Sequence, residues 1–121
     1  MYGMICNRLD LAYAINVISR FMADPRPMHW CAPKLTMRYL NGSLKLGLRF
    51  KRVEQDIEPI KGYVDSDYAC NTDTRKSISG YVFTLFGTSI CWMGILQSVV
   101  ALSTTQAEFI ALTESVKEAC V

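Results

Sequence analysis

Gly80-Tyr81-Val82-Phe83-Thr84-Leu85-Phe86, then Gly87-Thr88, then Ser89-Ile90-Cys91-Trp92-Met93 is the stretch on which the fold turns. Both arms are rich in β-branched and aromatic residues, and the glycine between them supplies a tight reversal, so the spacing predicts two antiparallel strands joined by a turn at Gly87-Thr88. Upstream, Ile60 to Val64 reads as a first strand running into Asp65. Downstream, the period changes from about Ser103, where Phe109, Leu112, Val116 and Ala119 line one apolar face of a helix and Glu108 lies on another. The order is β-β-β-α.

The amino half reads as helical. Asp10 fits an N-cap, and Leu11, Ala14, Ile15, Ile18 and Met22 follow at helical spacing, ending before Pro25 and Pro27. A second helix is predicted from near Met28 to Leu40, stopped by Asn41-Gly42. Pro33 inside it would cost about 3 kcal/mol unless it sits in the first turn, so the helix is expected to begin as late as Ala32 or Pro33. Leu46 to Phe50 reads as a short strand, and the charged stretch Lys51 to Glu58 as a linker or hairpin loop. The fold class is therefore α+β: two helices, a three-stranded antiparallel sheet and a closing helix.

The 121 residues are 50% hydrophobic and 20% charged, which argues against disorder and allows one domain or pieces of two. The longest apolar run is Ile90 to Leu96, far below the roughly 20 residues a membrane helix needs, so no membrane partner is expected. The amino terminus carries Arg8 and Asp10 too early for a secretory signal, and the expected location is intracellular, cytoplasmic or nuclear, not secreted. Cys6, Cys31, Cys70, Cys91 and Cys120 are scattered and never in a C-x-x-C pair, which suggests neither disulfides nor a zinc site. His29 is the single histidine and makes no metal cluster by itself.

The net charge of +2 hides two unlike halves. Residues 1–55 hold nine Lys/Arg against three acids, a balance of +6, and residues 56–121 hold four against eight, a balance of −4. A basic segment beside an acidic one suits a polyanion held near a cation; two ordinary solvated surfaces would look the same.

The cluster with chemical content is Tyr63-Val64-Asp65-Ser66-Asp67-Tyr68-Ala69 together with Ser103-Thr104-Thr105-Gln106-Ala107-Glu108-Phe109. A carboxylate at the end of a first strand and another in the first turn of a helix on the same sheet can converge. Hard Mg²⁺ ions take oxygen ligands of this kind, and metal pairs stabilise the attacking and leaving oxygens of phosphodiester hydrolysis. The competing reading of Glu108 is a capping box, Thr105-x-x-Glu108; that of Asp65 and Asp67 is a solvated strand end.

The run from Gly62 through Ala69, then Asp73 to Leu85 and Val100 to Leu112, resembles the ribonuclease H domain of copia-type retrotransposon Pol polyproteins. Asn7-Arg8-Leu9-Asp10-Leu11-Ala12-Tyr13-Ala14, Ser19-Arg20-Phe21-Met22, His29-Trp30 and Arg38-Tyr39-Leu40-Asn41-Gly42 resemble the segment that leads from reverse transcriptase into that domain. No Tyr-x-Asp-Asp polymerase motif is present. The resemblance divides the chain into a connection segment, residues 1–55, and the amino-terminal part of a ribonuclease H-like domain, residues 56–121. It implies that Asp65, with Asp67 as the alternative, and Glu108 are catalytic Mg²⁺ ligands acting on the RNA of an RNA/DNA hybrid. Arg75, Lys76, Ser77 and Ser79 would lie close to the substrate backbone; a basic hairpin entry is the plainer reading. The remainder of the Pol polyprotein is the implied partner, since relatives draw their third and fourth carboxylates from beyond the position of Val121. A chain with only the first two is expected to cleave no hybrid. The alternative is a catalytically dead retroelement remnant that at most binds nucleic acid. Leu9 stands where relatives carry proline, and Met93-Gly94-Ile95 where they usually show lysine and serine.

Overall fold

A computed structural model describes residues 7–51 and 59–120. They fall into two compact units, residues 1–49 and 50–121. The expected loop at Lys51 to Glu58 and the boundary expected between residues 55 and 56 lie outside the described residues, apart from Lys51 itself.

In the first unit a 3₁₀ turn, Leu9–Leu11, runs directly into α1, Ala12–Ser19. Asp10 is not the expected N-cap. It lies inside the turn, where its carboxylate accepts hydrogen bonds from Arg8 and from the Tyr39 hydroxyl, and neither the turn nor the helix start has a side-chain cap bond. Helix α1 ends at Ser19 and unwinds through turn bonds from Phe21 N–H to the Ile18 carbonyl and Met22 N–H to that of Ser19. A second 3₁₀ turn, Pro27–Trp30, leads into α2, Cys31–Gly42. Pro27 opens that turn, where its missing N–H costs nothing, and Pro33 falls in the first turn of α2 as the sequence requires. Pro33, Thr36, Leu40 and Ser43 are the half-buried positions of this segment and define its inward face.

Arg8, Asp10, Tyr39 and Ser43 tie the unit together. Arg8 grips Asp10 through two bonds, Nε to Oδ1 at 3.0 Å and Nη2 to Oδ2 at 2.8 Å, and also donates to the Ser43 Oγ and carbonyl. The Arg8 guanidinium beside it lowers the Asp10 pKa to about 2 against a partial desolvation that raises it, with the Tyr39 hydroxyl helping. The expected strand at Leu46 to Phe50 does not form. Its alternating leucines are exposed, and no described strand offers its backbone a ladder partner.

The second unit is the predicted sheet with its helix. Strands β1 (Ile60–Asp67), β2 (Ile78–Leu85) and β3 (Thr88–Leu96) form one antiparallel sheet in that order. The β2–β3 reversal uses Phe86 at φ 48° and Gly87 at φ 80°, the left-handed pair of a type I′ hairpin, one residue earlier than the expected turn. The carboxy-terminal helix α3 spans Thr104–Ala119. Its cap is Ser103, whose Oγ accepts from Gln106 N–H, while Gln106 Oε1 accepts from Leu102 N–H. The Thr105–Glu108 capping box is thus replaced by a cap two residues earlier, which leaves Glu108 free of that duty.

The face of α3 that packs is also not the apolar one. Ala107, Ala111 and Ser115 are buried, whereas Phe109, Leu112 and Val116 are 69%, 51% and 51% exposed. Small side chains at four-residue spacing let the helix axis approach the sheet closely; the bulky stripe would hold it away. No described helix is long and apolar enough to cross a membrane.

Candidate functional site

Register decides which way each β1 residue points. Asp65 pairs with Gly80 and Ser66 with Ser79, so the two neighbours occupy opposite faces of the sheet. Helix α3 lies on the Ser66–Ser79 face: Gln97 Nε2 donates to Ser79 Oγ at 2.9 Å and to the Ala107 carbonyl at 3.0 Å, bridging β2 to the first turn of α3. That bridge fixes the first turn of α3 at the Asp65–Asp67 end of β1. Ser66 Oγ and Gln97 Oε1 are buried around it with no hydrogen-bond partner among the described residues.

The other end of α3 sets its rotation. Cys91 Sγ donates to Glu118 Oε1 at 3.6 Å, so the flank carrying Glu114 and Glu118 looks toward β3. The pKa of the Tyr81 hydroxyl beneath it is pushed up to about 12, first by burial and then by Glu118, Cys91 and Glu114. Burial, with Glu118 beside it, likewise raises that of the Cys91 thiol. At about 3.6 residues per turn, Glu108 and Leu112 then occupy the opposite flank, on the β1 side.

Asp65 and Glu108 therefore stand on either side of one end of β1. Asp65 is two residues short of the strand end, because pairing continues to Asp67 with Ile78. All three carboxylates, Asp65, Asp67 and Glu108, are exposed, with no hydrogen bond or ion pair to another described residue. Such carboxylates have the oxygen chemistry that Mg²⁺ prefers, and one or two of them commonly suffice when substrate phosphates complete the shell. Among the described residues no three His, Cys, Asp or Glu side chains group closely enough to hold a metal ion by themselves.

The loop from β1 to β2 divides the four expected backbone contacts. Asn71 organises it: its Oδ1 accepts from the N–H groups of Asp73 and Thr74, and its carbonyl accepts from Arg75 N–H at 2.7 Å. Arg75 sits at φ 56° and is exposed, with Lys76 half-buried after it. Ser77 and Ser79 are a correction: both are fully buried. Ser77 Oγ accepts from Ala69 N–H, and Ser79 Oγ accepts from Gln97. Neither hydroxyl reaches the surface that contact with a backbone requires. Gln97, which locks the carboxylate end, is the residue that the sequence did not reveal. It follows β3 as a lone amide after an apolar run, a pattern shared with many strand ends.

The chain is 49% identical over 119 residues to the Retrovirus-related Pol polyprotein from transposon TNT 1-94 of Nicotiana tabacum, a match that takes in 98% of this chain and 9% of that protein. It is 34% identical over 111 residues to the Retrovirus-related Pol polyprotein from transposon RE2 of Arabidopsis thaliana, covering 92% of the chain and 8% of the polyprotein. The chain thus spans less than a tenth of the length of these polyproteins. A shorter relative, named Secreted RxLR effector protein 161, of Plasmopara viticola, is 43% identical over 119 residues, 98% of the chain and 82% of that protein. No family profile matches the chain. No solved structure matches it.

Proposed function

The chain belongs to the copia-type retrotransposon Pol polyproteins, of which it corresponds to one segment, and from that premise we propose that residues 56–121 are the amino-terminal part of a ribonuclease H-like domain. In the intact polyprotein this part supplies Asp65 and Glu108 as Mg²⁺ ligands for cutting the RNA strand of an RNA/DNA hybrid. The observation that carries the reading is the Ser79–Gln97–Ala107 bridge, which sets the first turn of α3 beside the carboxylate end of β1.

Bound Mg²⁺ would supply a Lewis acid that activates a water and stabilises the leaving oxygen. The chain's own contribution is positional. Asp65 is held by the ladder of β1 on β2, and Glu108 by a helix whose rotation is fixed at both ends, by Gln97 and by Glu118. Arg75 and Lys76 would offer charge to the substrate backbone from the adjoining loop. The remaining ligands come from the remainder of the Pol polyprotein, which makes it the partner, in an intracellular setting that is cytoplasmic or nuclear.

Manganese substituted for Mg²⁺ tests the site without requiring turnover. Titrated into the isotopically labelled chain, it should broaden amide resonances around Asp65 and Glu108 together, and D65N should abolish the effect. Broadening confined to one of the two, or located elsewhere, refutes the pairing. The purified chain should leave a labelled RNA/DNA hybrid uncut; Mg²⁺-dependent cutting lost in D65N would overturn the expected need for further carboxylates.

A second reading, a catalytically dead remnant that at most binds nucleic acid, is favoured by the ligand count among the described residues.

A further inference from the structure

The outer edge of β1 has no strand beside it among the described residues, so the N–H and C=O of every second residue along it point away from the sheet. Proteins blunt such edges with proline, bulges or twist. β3, at the other side of the sheet, is interrupted in this way: the register shift at Phe83/Thr84 leaves Ile90 as an extra residue. β1 pairs with β2 without interruption from Ile60 to Asp67 and contains no proline. It is the edge better suited to accept a further strand.

Helix α3 stands beside that edge with an apolar flank exposed. Leu112 lies on the β1 side and Val116 one turn beyond, each half exposed. Two contacts give the levels of helix and strand. Ala107 is bridged by Gln97 to Ser79, whose partner on β1 is Ser66. Glu118 meets Cys91, which pairs with Phe83 and through it with Gly62. Midway between Ser66 and Gly62 is Val64, and midway between Ala107 and Glu118 are Leu112 and Thr113. Val64 and Leu112 therefore share one level along the strand.

A second copy of this chain fits the edge by symmetry. A two-fold axis normal to the sheet beside Val64 sets Val64 against Val64, Tyr63 against Asp65 and Lys61 against Asp67 of the second copy, so that opposite charges face across the new ladder. The helices match as well. The axis lies half a strand spacing outside β1, about 2.4 Å, and α3, which packs on both β1 and β2, runs about as far inside it. The two helices are then about 9.6 Å apart, within the roughly 8–10 Å at which helices pack, with Leu112 at their crossing. Glu108 falls opposite Val116 of the second copy, which keeps the two Glu108 carboxylates apart. We propose that two copies of this chain pair antiparallel through β1 about an axis at Val64, forming one six-stranded sheet with their α3 helices side by side. This goes beyond the Asp65–Glu108 reading and does not depend on Mg²⁺.

Sedimentation of the whole chain at micromolar concentration, with a chelator present, should give twice the mass of the single chain. L112E places like charges at the axis and removes the central apolar contact, and should weaken the dimer roughly 30-fold or more. Its circular dichroism should match that of the parent, because Leu112 is half exposed in the single chain. K61D or D67K alone sets like charges opposite each other at both symmetry-related pairs and should weaken the dimer roughly tenfold. The K61D/D67K exchange should restore it to within about threefold, a rescue that only the register centred on Val64 provides. A parent chain that stays single, a dimer indifferent to L112E, or an exchange that fails to rescue would overturn the proposal. Open-ended assemblies in place of a closed dimer would overturn it equally.

Discussion

Replacing Asp10 by asparagine isolates the electrostatic share of the Arg8–Asp10–Tyr39–Ser43 cluster, because the side chain keeps its shape and loses its charge. The Asp10 carboxyl falls from its ordinary 3.8 to about 2, chiefly through the Arg8 hydrogen bonds. At face value that displacement is worth about 2.5 kcal/mol. The Asp10 side chain is 36% exposed, however, and solvent screening of such a pair reduces the contribution to about 1 kcal/mol. D10N should therefore lower the midpoint of the helical unit's thermal transition by about 4–8 °C at neutral pH. The sign of the pH dependence follows from the lowered carboxyl: its stabilisation is complete above the unfolded value of 3.8 and is lost as pH falls through about 2. Parent and D10N melting curves, followed by far-ultraviolet circular dichroism, should be separated at pH 6 and converge as pH drops from about 4 toward 2. Y39F removes the hydroxyl that shares the carboxylate, and its effect should couple to that of D10N rather than add. Equal stability of D10N and parent at neutral pH, or a difference that persists undiminished in acid, would refute the reasoning.

Two further outcomes bear on α3. A111L forces a large side chain into the buried seam against the sheet and should cost about 1–3 kcal/mol in urea unfolding, whereas F109S, on the exposed stripe, should leave the midpoint within about 0.5 kcal/mol. Equal costs would mean that the helix packs through its bulky face. S103A should lose about 1 kcal/mol by removing the cap to Gln106 N–H, and T105A should lose little; the reverse order would restore the Thr105–Glu108 capping box.

The order of elements was legible in the sequence because each depends on local chemistry. Alternation of β-branched and aromatic residues requires a pleated ladder, Gly87 permits the left-handed turn, and Pro25, Pro27 and Gly42 bound the helices. The β-β-β-α order and the start of the last helix near Ser103 follow from those signals alone. The strand expected at Leu46 to Phe50 shows the limit of such reading: its alternation is genuine, but a strand exists only with a partner for its backbone.

The candidate site divides along the same line. Asp65 and Glu108 could be named from motif and position; in the structure Asp65 lies on β1, and Glu108, expected in the first turn of α3, falls just past it. Whether two such residues share one end of a sheet depends on Gln97, whose amide spans β2 and α3 across distant parts of the chain. Likewise, Ser77 and Ser79 look like surface hydroxyls in a basic stretch, and only the tertiary structure buries them, Ser77 against Ala69 and Ser79 against Gln97. Sequence by itself determined the family and the order of the main elements and named the candidate carboxylates, because these rest on short-range residue patterns. Tertiary structure alone decided which helix face is buried and which hydroxyls are spent on internal bonds, because each depends on side-chain size and on contacts between segments far apart in the chain.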